Sequence, residues 1–179
     1  MKTSTKKLTL SAMFLAIGLV LPFITGQIPQ IGKMLCPMHI PILLCAFFCG
    51  PQYAGVIGAI CPLMRSVMFG MPVLYPSAVG MAFELMSYGV ICGLLAAKLG
   101  KDKLWKIYTA LITAMLGGRL VWGLAQIVLL GIKGEHFTFA AFLAGGFVNA
   151  FPGIILQLIL IPVLVRAIPD KTKKEISEE

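Results

Sequence analysis

The sequence predicts an all-α integral membrane protein, folded as a compact bundle of six transmembrane helices with both termini in the cytoplasm. Hydrophobic residues make up 59% of the chain and charged residues only 12%, whereas soluble domains are typically about 25% charged. The apolar runs are long and continuous, unlike the alternating segments of about ten residues that are typical of transmembrane β-barrels. The basic residues are concentrated in three regions, and that distribution predicts the orientation.

The six helices follow from the apolar runs, since crossing about 30 Å of hydrocarbon takes about 20 helical residues. Residues 1–179 are predicted to form one domain. Its apolar runs, bounded by glycine, proline or charged residues, predict helices at Leu8–Thr25, Met38–Gly50, Gln52–Phe69, Pro76–Leu99, Leu104–Leu130 and Phe142–Ala167. The second run is short and contains Pro41, so we expect it to tilt, to begin earlier or to pack inside the bundle. The first run is interpreted as a retained helix because no Ala-x-Ala cleavage site follows it.

The orientation follows from the lysines and arginines that lie near the helix ends. Eleven of them fall in three regions that six helices place on one side, and two fall on the other. The eleven are Lys2, Lys6, Lys7, Lys98, Lys101, Lys103, Lys106, Arg166, Lys171, Lys173 and Lys174, and the two are Lys33 and Lys133. Cytoplasmic loops carry the excess of basic residues, so both termini are predicted to be cytoplasmic. The polar segment Pro169–Glu179 is expected to be a flexible cytoplasmic tail.

Cofactor, metal and nucleic-acid sites are not predicted. The five cysteines show no CxxC spacing and there are only two histidines, far apart in the chain, which argues against a metal site. The glycine-containing stretch Gly26–Met34 has one residue too many between its glycines for a P-loop, and Met34 replaces the Ser or Thr that would bind magnesium. The net charge of +8 reflects membrane topology and not a surface for nucleic acid.

Four polar residues fall in the outer half of four different predicted helices. From a rise of 1.5 Å per residue, Arg65 lies roughly 6 Å, Glu84 roughly 12 Å and Arg119 roughly 16 Å from the outer helix ends. Asn149 lies about 10 Å into the last helix by the same count. A charge near the bilayer centre costs roughly 2.5–3.5 kcal/mol on insertion scales, so such residues are functional candidates by default. Together they predict a ligand site in the bundle.

The neighbours of Arg119 indicate what this site binds. Trp122 and Gln126 share its helix face at i+3 and i+7, which combines a charge, an aromatic ring and an amide for a small polar ligand with a hydrophobic body. Two arginines against Glu84 leave one positive charge over, and this favours an anionic ligand such as a carboxylate. The alternative is that Arg65 and Glu84 pair with each other and only hold two helices together.

Three residues near the predicted outer loops are further candidates. Tyr75 ends the short loop before the fourth helix. Lys33, in the first loop, either attracts an anionic ligand or is an ordinary solvated lysine. His39, at the outer mouth of the second helix, either contacts the ligand or only caps and packs that helix.

Several segments resemble one family of membrane proteins. They are MLCPMHIPILLCAF, FGMPVLYP, AVGMAFEL and PGIILQLILIPVLV, together with the AxxxA pair Ala12 and Ala16. With six helices and about 180 residues, the chain resembles the substrate-binding subunit, or S component, of an energy-coupling factor (ECF) vitamin transporter. The Met-His-Ile-Pro and Phe-Glu-Leu segments resemble its pantothenate-type branch.

The resemblance implies high-affinity binding of a water-soluble vitamin on the outer side of a bacterial plasma membrane. It also implies that Ala12 and Ala16 dock on a transmembrane coupling subunit, and that two ATPase subunits supply the energy. The alternatives are a self-sufficient small secondary carrier and a structural membrane-assembly protein. A membrane enzyme is disfavoured, because Glu84 is the one carboxylate within the predicted helices.

Overall fold

The computed structural model describes residues 2–25 and 34–167, with side chains from residues 5–24 and 34–167. Every regular element in these ranges is helical: α1 Lys2–Val20 with a 3-10 turn Leu21–Thr25, α2 His39–Phe48, α3 Pro51–Phe69, α4 Val79–Leu99, α5 Leu104–Ile132, α6 Phe139–Leu143 and α7 Phe151–Ala167. A π-helical segment, Leu74–Ala78, precedes α4, and a second, Ala144–Val148, joins α6 to α7. The predicted ligand residue Lys33 and the predicted tail Pro169–Glu179 lie outside the described residues.

Four helical segments of the described chain are long and apolar enough to cross a membrane: Thr5–Ile24, Leu74–Leu99, Leu104–Ile132 and Phe139–Ala167. The prediction of an all-helical, multi-pass membrane protein is confirmed. By contrast, α2 has 10 residues and rises only about 15 Å, half the hydrocarbon thickness. Nearly all of its side chains are buried, so α2 packs inside the bundle.

Glycines allow α4 to pack very closely against its neighbours. A Cβ atom at Gly58 of α3 would lie 2.5 Å from the Leu85 carbonyl oxygen, and one at Gly89 of α4 would lie 2.5 Å from the Ala54 carbonyl. On the other side, a Cβ at Gly118 of α5 would lie 2.0 Å from the Tyr88 ring. Because no larger residue fits, α4 is held between α3 and α5, and this fixes the positions of its polar side chains.

The last predicted helix, Phe142–Ala167, is interrupted in the structure. It begins earlier, with the Thr138 hydroxyl accepting a hydrogen bond from the Ala141 amide at 3.2 Å, and then passes through the π-helical segment and a turn before α7. Glycine is a poor α-helix former, and Gly145 and Gly146 lie in the π-helical segment. Non-α backbone at membrane depth is tolerated where it is buried in protein or lines a cavity, and Gly146 is buried.

Candidate functional site

A cluster of buried polar side chains lies where α2, α4 and α5 meet. Glu84 of α4 and Arg119 of α5 form an ion pair, with 2.7 Å between Oε1 and Nη1. His39, the first residue of α2, places its Nε2 atom 3.5 Å from the same carboxylate oxygen. Tyr88 lies one turn along α4 from Glu84, and its ring meets the His39 ring edge-on, with 5.2 Å between the centroids. Glu84 and His39 are each 2% exposed and Arg119 is 6% exposed.

The guanidinium of Arg119 has one edge that the protein leaves largely unused. Nη1 faces Glu84, and among the described residues the one partner of Nη2 is the Cys36 thiol, at a donor–acceptor distance of 3.8 Å. Nε has no hydrogen-bond partner within the described part of the chain. The Nε and Nη2 donors form the planar fork that a carboxylate accepts with both oxygens. Glu84 therefore orients Arg119 while its bidentate edge stays open.

Other buried polar atoms around this pair lack partners as well. Within residues 34–167, neither Nδ1 of His39 nor the hydroxyl of Tyr88 has a hydrogen-bond partner. Buried polar groups in native proteins are almost always hydrogen-bonded, and each unsatisfied one costs about 1–3 kcal/mol. Several such atoms around one ion pair make this cluster the candidate ligand site of the described residues.

The segment Met34–Met38 closes over the cluster. A Cβ at Gly153 of α7 would lie 2.6 Å from the Met34 carbonyl oxygen, so this segment packs directly on α7. Cys36 has a left-handed backbone conformation with φ of 47°, which is uncommon for a residue other than glycine and persists only where the surroundings hold it. Through its thiol, Cys36 also contacts Arg119 on α5. The end of the predicted outer loop is thus a cover that joins α5 and α7.

Arg65 lies in a different environment from Arg119. Its Nη1 donates a hydrogen bond to the Leu19 carbonyl at the end of α1. Its guanidinium lies over two aromatic rings, 4.9 Å from the centroid of Phe23 and 5.4 Å from that of Phe69. Since Glu84 is paired with Arg119, the alternative in which Arg65 pairs with Glu84 is wrong.

Gln126 and Trp122 lie on the same helix as Arg119, and Trp122 is its neighbour: a Cβ at Gly146 would lie 3.7 Å from the Trp122 ring and 3.8 Å from Arg119 Cδ. Gln126 is buried, and its amide nitrogen would be 2.6 Å from a Cβ at Gly80 of α4. Trp122 belongs to an aromatic group, with ring centroids 5.7 Å from Phe137 and 6.2 Å from Phe142.

Tyr75 and Asn149 lie at the ends of the π-helical segments. The Tyr75 hydroxyl donates to the Leu129 carbonyl of α5, and Lys133 Nζ lies 5.9 Å from the Tyr75 ring centroid. Asn149 is exposed in the turn between Ala144–Val148 and α7. A role for these residues in ligand binding stays a prediction.

Tyr88 and Cys36 are members of the cluster that the candidate residues predicted from the sequence do not include. Tyr88 follows Glu84 at i+4, a spacing that places both on one helix face. The sequence therefore contained a signal that Tyr88 belongs to the cluster. Cys36 had no such signal, because its contact with Arg119 joins positions far apart in the chain. In the described residues no group of three or more His, Cys, Asp or Glu side chains is placed to hold a metal.

The described residues form a multi-pass helical membrane fold that encloses a cluster of buried polar side chains. The family described as ECF transporter, substrate-specific component, has a sequence model that matches residues 6–165, and the chain belongs to this family. Members of this family are substrate-binding components of transporters and not enzymes. Neither a curated protein nor a solved structure matches the chain.

Proposed function

We propose that the protein is the high-affinity substrate-binding subunit of an ECF-type importer in a bacterial plasma membrane. Its substrate is a water-soluble vitamin or related micronutrient that carries a carboxylate, with pantothenate as the leading candidate. ATP hydrolysis in partner subunits drives the uptake. The family membership supports the role, and the buried polar cluster supports the chemistry of the substrate.

The open edge of Arg119 is the single observation that carries the carboxylate proposal. Its Nη1 is already held by Glu84, whereas Nε has no partner in the described residues and Nη2 has only a thiol at 3.8 Å. A carboxylate that docks on Nε and Nη2 gains two charge-assisted hydrogen bonds of the strongest kind available to a side chain. A neutral group gains less from the same edge.

The rest of the cluster suits the remainder of a pantothenate-like molecule, which has an amide, two hydroxyls and a branched apolar body. The Tyr88 hydroxyl and the His39 ring supply both donors and acceptors. Trp122, one turn along α5 from Arg119, offers an apolar aromatic surface. Such a mixture of apolar walls and a few placed polar groups is typical of small-molecule sites.

The proposed topology has six spans and cytoplasmic termini. Four segments are long and apolar enough to cross a membrane, and α3, with 19 residues, rises about 28 Å. In this proposal the short helix α2 and the cover segment Met34–Met38 together make the sixth crossing, and an even number of crossings places both termini on one side. The eleven-to-two distribution of lysines and arginines supports the orientation.

The proposed docking surface for the transmembrane coupling subunit lies on α1. Ala12 and Ala16 are both exposed there, and small residues one turn apart allow close helix approach in membranes. The coupling subunit carries two ATPase subunits in this proposal, which fits the absence of a P-loop from the sequence.

Isothermal titration calorimetry on the purified protein tests the substrate proposal. We expect pantothenate to bind at one site. The neutral alcohol pantothenol, which has a hydroxymethyl group in place of the carboxylate, should bind at least about 100-fold more weakly, as two lost charge-assisted hydrogen bonds imply. Equal affinity for the two would contradict the carboxylate proposal. Nicotinate, a carboxylate of different shape, is titrated as a second ligand for comparison with pantothenate.

Uptake by cells that also produce the coupling and ATPase subunits tests the docking surface. The double substitution Ala12→Leu and Ala16→Leu should leave ligand binding by the isolated subunit intact and abolish uptake. Ala97→Leu makes the same change at an exposed position of α4 and is the matched control. Normal uptake by the double variant would show that another surface docks.

A further inference from the structure

We propose that the anionic substrate binds together with one proton, and that the imidazole of His39 accepts this proton. The proposal rests on the carboxylate substrate put forward above and adds a property of the same site. It follows from the inventory of charges around His39 and from the partners that its two ring nitrogens lack.

The groups that face the His39 ring come from three elements. Glu84 and Tyr88 approach it from α4. Glu84 Oε1 lies 3.5 Å from Nε2 of His39, and the centroids of the Tyr88 and His39 rings are 5.2 Å apart. Arg119 of α5 reaches the same carboxylate oxygen as His39. The Cys36 carbonyl, in the cover segment, accepts a hydrogen bond from the His39 backbone amide, with 3.1 Å between nitrogen and oxygen.

Within the described residues, the charged groups on the other elements packed around α2 are engaged elsewhere. Arg65 of α3 is bound to the Leu19 carbonyl. Lys7 of α1 lies near Cys49, at the opposite end of α2 from His39. The one ionisable residue of α7 is Arg166, in its last turn. None of these groups is placed to balance a charge that enters the cluster.

The cluster is balanced before the substrate binds and unbalanced afterwards. The Glu84 carboxylate and the Arg119 guanidinium cancel each other when the imidazole is neutral. A carboxylate that docks on Arg119 brings a second negative charge into a region where Glu84 and Arg119 are almost completely buried. An uncompensated buried charge is strongly unfavourable, and a proton on His39 restores neutrality at the place where the charge enters.

The geometry of His39 suits this role. A protonated ring donates from both nitrogens. Its Nε2 lies 3.5 Å from Glu84 Oε1, while Nδ1, which has no partner within residues 34–167, is available to the substrate. His39 therefore becomes a bridge between Glu84 and the bound anion.

Titration calorimetry with pantothenate tests the proposal, with the full-length protein at pH 7.5 in phosphate and in Tris. These buffers differ in ionisation enthalpy, so the difference in binding enthalpy counts the protons taken up. We expect close to one proton per pantothenate, and a Kd that rises by up to about tenfold per pH unit as the pH rises. Pantothenate binding without proton uptake would overturn this inference and leave the proposed function standing, whereas no carboxylate binding would overturn both.

Two variants assign the proton. His39→Gln should bind pantothenate more weakly and with almost no proton uptake; a full proton taken up by this variant would overturn the assignment to His39. Glu84→Gln leaves Arg119 uncompensated before binding, so it should also bind the anion without a proton. A full proton taken up by Glu84→Gln would contradict the charge balance on which the proposal depends, even if His39→Gln fails to fold.

Discussion

The two arginines of the bundle, Arg65 and Arg119, are both charges within apolar runs of the sequence, but they differ in what surrounds them. Both are buried, at 3% and 6% exposure. Arg65 is satisfied by the protein itself, through a backbone carbonyl and two aromatic rings. Arg119 is paired with Glu84 through one nitrogen and has an open bidentate edge. Unused hydrogen-bonding capacity, and not burial, is what distinguishes Arg119, the proposed binding arginine, from Arg65.

The neighbourhoods of the two residues support the same division. Arg65 joins the end of α1 to α3, and its guanidinium is enclosed by Phe23, in the 3-10 turn after α1, and by Phe69, at the end of α3. Arg119 lies beneath a cover segment, and near it His39 Nδ1 and the Tyr88 hydroxyl have no hydrogen-bond partner among the described residues. We therefore expect substitution of Arg65 to reduce stability and substitution of Arg119 to remove binding.

The largest effect is expected for Arg119→Gln. Loss of two charge-assisted hydrogen bonds to the substrate, each contributing about 1.5–3 kcal/mol, should weaken pantothenate binding at least about 100-fold by titration calorimetry. Arg119→Lys is the matched control, since it keeps the charge and loses the planar fork, and it should not restore tight binding. Near-normal affinity in either variant would remove the open edge from the site.

The next effect separates binding from folding at the same position. Arg119→Gln alone leaves Glu84 charged and unpaired, which costs about 3–5 kcal/mol in other buried pairs. Adding Glu84→Gln removes that charge, so the double variant should recover most of the free energy of unfolding without recovering pantothenate binding. Denaturant unfolding in detergent measures the first quantity. A double variant as unstable as the single one would show that the pair does not set this stability.

Arg65→Gln should have the opposite pattern. Loss of the charged hydrogen bond to Leu19 and of the cation–π contacts should lower the free energy of unfolding by about 1–3 kcal/mol. Because Arg65 shares no partner with the cluster, the Kd for pantothenate should stay within about threefold of the native value. A loss of affinity comparable to that of Arg119→Gln would erase the distinction between the two arginines.

The smallest effect is expected for Tyr75→Phe, which removes the hydroxyl that donates to the Leu129 carbonyl and keeps the ring beneath Lys133. A single hydrogen bond contributes about 0.5–1.5 kcal/mol, so hydrogen exchange in residues 74–78 should accelerate by about tenfold at most. Stability elsewhere should not change. An equal acceleration in α2 would mean that Tyr75 supports the whole bundle.

The sequence predicted the helical membrane fold because charge content and long apolar runs are local properties of the chain. It also singled out Glu84 and Arg119, since charges within apolar runs are visible without a structure. Whether Arg65 or Arg119 faces Glu84 was not predictable. Helical spacing gives the depth and the face of a residue, but not the neighbouring helix that the face meets.

Two other features illustrate the same limit. The break in the last helix had a local signal in Gly145, Gly146 and Pro152, and the apolar run concealed it. The cover over the site had none, because the packing of Met34 on Gly153 and of Cys36 on Arg119 joins positions more than 80 residues apart. Tertiary contacts of this kind are decided by the shapes of both partners.

Native mass spectrometry of the small molecule that copurifies with the protein tests the central claim most directly, since it compares both arginines on whatever ligand the cell supplies. The native protein and the Arg65→Gln variant should each release one carboxylate-bearing compound, with the mass of pantothenate as the leading expectation. The Arg119→Gln variant should release none. A ligand without an anionic group, or one retained in full by Arg119→Gln, would contradict the assignment of Arg119 as the substrate's counter-ion.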